Sequence, residues 1–303
     1  MPNDQVEIHI TPATAIGPTI MAYEMYLSDQ SRSSHTIKAF ISDLQLMHSF
    51  FPPDKTISSV TTIDLNNFLR WMEHDRGVPC SPKTLSRRIT SIKSYFKWLH
   101  KSGATALNPA EKVVQRTVRS PLPSILDDVE KRSALITAEA LRYKSKPDTR
   151  PYTLLYLLLN TGIKKSECLS IHINHFDFSN PRAPILHIRY SGRTNEYKER
   201  KLTLDEEWTE IFQSYCAQYK PNDALFPWSP RRLEYVLEDI AKDANIEKHI
   251  SFDMCRWTYA VDQYLNGVPM DEIRMNLGVS KIQFRELGQK IMNLAALMNE
   301  SSG

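Results

Sequence analysis

Residues 81–101, SPKTLSRRITSIKSYFKWLHK, constrain the fold more than any other stretch of this chain. Ser81 suits a helix N-cap, where its oxygen can take up a free backbone N–H, and Pro82 suits the first helical position, where no N–H is needed. On a helical wheel Leu85, Ile89, Ile92, Phe96 and Leu99 fall within an arc of about 80°. Lys83, Arg87, Lys93, Lys97 and Lys101 fall on the opposite side. One face is built for a core and the other for water or anions.

Charge sharpens that choice. Residues 81–120 hold nine Lys or Arg and one acid, Glu111, so this stretch carries +8 while the whole chain carries +3. A face made only for solubility usually mixes both signs. Concentrated positive charge on a nearly neutral chain points instead to a polyanion, with nucleic acid the expected partner. The plain alternative is a solvated basic face.

Around this helix, residues 17–100 read as helical throughout, broken at Phe51-Pro52-Pro53 and at Gly77-Val78-Pro79. Ser33 or Ser34 can cap a helix through Ile37, Phe40, Leu44 and Met47, and a shorter helix covers 64–73. Residues 1–13 read as a loose tail, 14–104 as one helical domain and 105–126, with Asn108-Pro109-Ala110, Pro121 and Pro123, as a linker. The second domain, 127–303, has as its first strong helix PYTLLYLLLNTG, which is apolar nearly all round and so is expected to be buried, ending at Gly162. A short helix follows with Ser166, Glu167, Leu169 and Ile171. Two strand candidates, 185–190 and 198–204, flank the polar segment SGRTNEY and predict a hairpin. Residues 231–298 are again helical. Near the end Ile291, Leu294, Ala295 and Met298 form one apolar stripe, with Gly288 placed to act as a hinge before it. The stripe either folds onto its own domain or docks on a neighbouring copy.

Hydrophobic residues at 41% and charged residues at 24% are the balance of a soluble globular chain. No apolar run approaches the roughly 18 residues of a membrane span, so no membrane association is expected. The polar start, MPNDQVEIHI, lacks the pattern of a signal peptide. Cys80, Cys168, Cys216 and Cys255 are scattered without a CxxC pair, which argues against a zinc site and a disulfide framework and suits the cytoplasm. No metal and no cofactor are expected.

Six phrases in order, SSHTIKAFISDL, SPKTLSRRITSIKSYFKWL, NPA, LPSIL, NTGIKKSE and ISFDMCRWTYAVDQYLNGVPMDEIRMNLG, resemble the tyrosine recombinases and integrases over residues 17–290. The resemblance implies a mainly α fold with a small β-hairpin or sheet (α+β). It implies a helical, SAM-like core-binding domain and a catalytic-type domain that together clamp DNA in a C shape. It also implies a chemistry of two arginines on the scissile phosphate, a hairpin lysine, two assisting histidines (or His and Trp) and an attacking tyrosine.

Carried over one position at a time, most of that machinery is replaced. Lys164 stands for the first arginine, and a lysine lacks the two-pronged grip of a guanidinium. Glu167, the acid of the same phrase, is kept. Arg193 stands at the hairpin lysine, with Lys198 nearby. The second arginine survives as Arg256, but Asp253 stands at the first histidine and would repel a phosphate. Val279 stands at the second histidine. Gly288 stands at the tyrosine, and the sequence has no tyrosine after Tyr264. Arg256 and Glu167 can equally persist as structural groups, and Trp257 and Tyr259 as core residues.

The expectation is therefore a duplex DNA-binding protein without catalytic residues, contacting DNA through Lys83, Arg87, Arg88, Lys93, Lys97, Lys101, Lys164, Arg193, Lys198 and Arg256. Its partners would be duplex DNA, a second copy through the C-terminal helix, or an active recombinase, and its setting the cytoplasm or nucleoid. Two rivals stay open: an active strand-transferase with diverged or trans-supplied residues, and an interaction scaffold that no longer binds DNA.

Overall fold

A computed structural model describes residues 10–78, 80–115, 121–190 and 198–301 and divides the chain into two units, Met1–Pro121 and Leu122–Gly303. The first unit is built from four helices: α1 (Ile16–Asp29), α2 (Ser34–Phe50), α3 (Thr62–Arg70) and α4 (Pro82–Lys101). The caps follow the side-chain chemistry. Ser33 accepts from the Thr36 amide, Ser81 from that of Thr84, and Thr61 forms a reciprocal capping box with Asp64. The helix expected over 64–73 is α3 continued by a single π turn, Trp71–Asp75.

The wheel of α4 holds: Leu85, Ile89, Ile92, Phe96 and Leu99 are all buried. Tyr95 joins them, its hydroxyl against that of Thr19 on α1. One buried acid fixes the angle between α2 and α4. Asp43 accepts from both terminal nitrogens of Arg87 (2.5 and 2.9 Å), from Arg88 Nε (3.3 Å) and from Ser91 Oγ (2.8 Å). Ala110 and Val113, in the stretch read as linker, are buried in this unit's core, and Thr62 Oγ1 holds the Pro109 carbonyl at 2.8 Å. Apolar side chains in an irregular segment are enough to dock it.

The second unit runs α5 (Asp128–Ala140), α6 (Arg150–Thr161), α7 (Lys165–Leu169), β1 (Phe176–Asp177), β2 (Ile185–Ile188), β3 (Arg200–Thr203), α8 (Glu207–Tyr219), α9 (Pro230–Asp243), α10 (Phe252–Leu265), α11 (Met270–Asn276) and α12 (Lys281–Ser301). The expected hairpin is β2–β3, antiparallel, with β1 as a third strand in the order β1-β2-β3. Leu186 lies opposite Phe176 on one side and Leu202 on the other. As its composition demands, α6 is buried nearly all round and packs against α5, α8, α9 and α10. Gly162 ends it in a left-handed conformation (φ +57°), pressed so closely on Tyr259 that a Cβ would stand 2.3 Å from the ring.

One expectation about the C-terminus is corrected. Gly288 is not a hinge, because α12 runs unbroken through it. Its missing side chain instead lets α12 approach Met270, whose Cε would lie 3.0 Å from a Cβ there. The stripe of Ile291, Leu294 and Ala295, with Met298 partly buried beside it, packs within its own unit, where α12 lies on α10; this is the first of the two arrangements expected for it.

The two faces of α4 differ in what they hold. Phe96→Ala should destabilise the protein by about 3–5 kcal/mol, whereas Lys97→Ala should change stability by less than about 0.5 kcal/mol, both read from urea unfolding.

Candidate functional site

In the second unit, two of the expected site positions, Lys164 and Glu167, come together at one buried carboxylate, with Arg256 close by. The end of α6 at Gly162 turns the chain so that Lys164 caps α7 and Glu167 points inward. Glu167 is buried and accepts from the Lys164 amide (2.8 Å), from both terminal nitrogens of Arg200 (2.9 Å each) and from the Tyr190 hydroxyl. Burial alone would raise its pKa. The Arg200 guanidinium, helped by Tyr190 and the amide, outweighs burial and holds the carboxyl at about 2.

The cations in turn are spent on one turn of backbone. Arg200 Nε donates to the Asn276 carbonyl (2.6 Å), a terminal nitrogen of Arg256 to that of Leu277 (2.6 Å), and Lys164 Nζ reaches that of Gly278 (3.4 Å). Three consecutive carbonyls at the end of α11 thus receive cations from β3, α10 and the start of α7. The other terminal nitrogen of Arg256 donates to the Gly162 carbonyl at 2.5 Å. Burial pushes Arg256 down to about 10, with Glu167 opposing, and burial likewise lowers Lys164. Gly278 has φ +58°, and a Cβ there would lie 2.5 Å from an Arg200 nitrogen, so only glycine fits this turn beside that guanidinium.

Arg200 and Tyr190 are the residues that sequence reasoning missed. Arg200 carried a signal: with the two-residue period of a strand it shares a face with Leu202 and Leu204, both buried, and an arginine on a core face needs a partner. Glu167 pairs with Arg200 rather than Arg256. Asp253 is exposed in the first turn of α10, where the helix dipole favours an acid. Val279 is half-buried beside the α12 core, Tyr259 is buried, and Trp257 packs partly against the same cluster. Lys198 lies over the Tyr190 ring, 5.7 Å from its centre. Arg193 falls outside the described residues.

In the first unit the basic residues split into two groups. Arg87 and Arg88 belong to Asp43; Arg87 keeps 43% of its side chain exposed, whereas Arg88 turns in to Met72 and Cys80. A buried carboxylate left unpaired is costly, and these two guanidiniums answer it. Lys83, Lys97 and Lys101 are exposed. Lys93, Lys97 and Lys101 line a groove of about 640 Å³ together with His100, Asn108 and Gln115. Lys93 is half-buried there, its Nζ 3.5 Å from the Glu111 carbonyl.

The depressed carboxyl gives a pH test. A folded-state pKa below the unfolded one contributes stability that is complete above about pH 4.5 and is lost as pH falls through about 2. Glu167 should therefore account for about 2 kcal/mol of the stability lost between pH 7 and pH 3. Glu167→Gln should be less stable at neutral pH and show a correspondingly flatter acid limb in urea unfolding; an unchanged limb would mean that this pair does not hold the turn.

Against known proteins, residues 128–284 match the model of the phage integrase family, and residues 20–103 match that of the phage integrase N-terminal SAM-like domain. The tyrosine recombinase XerC of Lacticaseibacillus casei (strain BL23) is 23% identical over 293 residues, covering 93% of this chain and 96% of its own. The tyrosine recombinase XerD of Listeria innocua is 24% identical over 283 residues, covering 88% and 91%. Among solved structures, the XerH site-specific recombinase bound to difH substrate in a pre-cleavage complex superposes with a TM-score of 0.67 at 16% identity, over 93% of this chain and 88% of that one. A lambda integrase dimer bound to a COC' core site gives 0.70 at 12%, over 90% and 77%. The fold is thus a SAM-like helical domain followed by the mainly helical integrase domain with its small antiparallel sheet, and the chain belongs to the phage integrase family.

Proposed function

We propose that this chain binds duplex DNA and does not cut it, acting as a regulator, an architectural factor or a non-catalytic subunit beside an active recombinase. One observation carries the reading. Arg200 and Arg256 direct their donors at Glu167 and at backbone carbonyls and Lys164 reaches one carbonyl, while Lys83, Lys97 and Lys101 are exposed to solvent. A phosphodiester poised for attack needs guanidinium donors directed at its oxygens. A phosphate backbone that is only held needs exposed cations along a face.

The replaced positions argue the same way. With Asp253 and Val279 at the histidine positions no imidazole stands ready there, and each general acid or base removed typically costs 10²- to 10⁴-fold. With Gly288 at the nucleophile position a covalent intermediate lacks its attacking group. Tyr190 is no substitute. Its hydroxyl donates to Glu167, and burial together with that carboxylate raises its pKa above the usual phenol range, away from a reactive phenolate. The solved XerH and lambda integrase structures hold a difH substrate and a COC' core site, and a similar Tn1549 transposon integrase is in complex with a circular intermediate DNA, which supports DNA as the ligand.

Fluorescence anisotropy on mixed-sequence duplexes should give binding that weakens steeply with salt, each neutralised phosphate adding about −0.9 to the log–log slope. Exchanging Lys93, Lys97 and Lys101 for alanine should flatten that slope by up to about 0.9 per lysine and leave the melting temperature near its original value. No binding at about 50 mM salt would favour the scaffold reading instead. On nicked suicide substrates no covalent protein–DNA adduct should form, and Gly288→Tyr alone should not produce one. A trapped phosphotyrosine in the unaltered protein, at Tyr190 or elsewhere, would establish an active strand-transferase.

A further inference from the structure

Helix α5 is apolar on two opposite sides. Ala134 and Ala138 face inward, buried where the helix packs on α6 and α9. On the outer side Val129 and Ile136 are 76% and 60% exposed, and Tyr143, in the single 3₁₀ turn that continues the helix, is 72% exposed. These three are evenly spaced in the sequence, seven residues apart, and Ala140 is exposed between the last two. At 1.5 Å per residue they span about 20 Å along one side of the helix. A helix apolar on both sides is normally covered on both.

We propose that the outer face of α5 is a self-association surface, covered by the same face of a second copy running antiparallel about a twofold axis at Ile136. In such an interface each contact occurs twice with its partners exchanged, so the face must complement itself. It does so in charge at its two ends. With Ile136 against its own counterpart, Val129 meets Tyr143 of the second copy, Arg132 meets Ala140, and Asp128 meets Lys144. The start of the stripe is acidic (Asp127, Asp128) and its end is basic (Lys144, Lys146), all four exposed. Antiparallel pairing brings opposite charges together at both ends; parallel pairing would set acid on acid and base on base.

The end of the stripe also has a receptor. Val129 borders a groove of about 440 Å³ whose apolar wall is Ile125, Leu294, Leu297 and Met298. Tyr143 of the second copy, arriving beside Val129, is an aromatic side chain at the mouth of an apolar pocket, the arrangement in which interface residues contribute most. Helix α12 takes part here by lining this groove. The dimer needs neither DNA nor the basic face of α4, so it stands apart from the DNA-binding reading.

Sedimentation velocity and light scattering on the full chain without DNA, across the micromolar range, test the proposal. A reversible dimer is expected. Ile136→Lys, which sets two like charges on the axis, should raise its Kd by about a hundredfold or more, and Tyr143→Ala by about tenfold, with melting temperatures unchanged because both sites are exposed. Asp128→Lys and Lys144→Asp should each weaken the dimer, and the two together in one chain should restore it, since the exchanged charges again meet their opposites. A chain that stays monomeric, a dimer indifferent to Ile136→Lys, or a charge exchange that fails to restore it would each overturn the assignment.

Discussion

A carboxylate taken out of water has to be met by cations or hydrogen-bond donors, and each unit of this protein is organised around one. In the first it is Asp43, which gathers Arg87, Arg88 and Ser91 and so ties α2 to α4. In the second it is Glu167, which gathers Arg200, Tyr190 and the start of α7. The constraint explains which basic residues remain available. A guanidinium bound to a buried acid cannot turn outward without stranding that acid, so the counting of charges along the sequence overstates the cations that reach the surface. Lysines, with no buried acid to serve on α4, make up most of what remains.

Much of the fold was legible because the signals were local. The cap, the first-turn proline and the apolar arc of α4 depend only on residues within one helix, and each appears where the pattern put it. The all-apolar α6 and its terminal Gly162 were legible for the same reason. What escaped was decided across long separations. Arg200 lies 33 residues from the acid it serves and 76 from the carbonyl it caps, and neither partner is marked in sequence. The hinge assigned to Gly288 failed because a glycine inside a helix also serves close approach, and only the neighbouring Met270 tells the two uses apart. Ala110 and Val113 lay in a segment rich in turn residues, whose composition hid that it docks on a core.

Fold and polar chemistry make different demands on a sequence. Folding requires that the buried positions of α6, α10 and the sheet stay apolar, which many sequences satisfy; catalysis requires particular groups at particular points, which few do. Here Glu167, Arg200 and Arg256 have structural partners for the strong interactions they make, and this is sufficient reason for them to be kept whatever the chain does with DNA.

The three carbonyls at 276–278 have a consequence for how this sequence can drift. Each is capped by a cation from a different element, and Gly278 must lack a side chain because Arg200 occupies its place. Positions 164, 200, 256 and 278 therefore do not vary independently: a change at one leaves a carbonyl bare or a charge unpaired, and its cost depends on the residues at the others. Descendants of this chain should inherit the four as a set or exchange them as a set, so that their joint pattern across relatives would record which lineages share this turn.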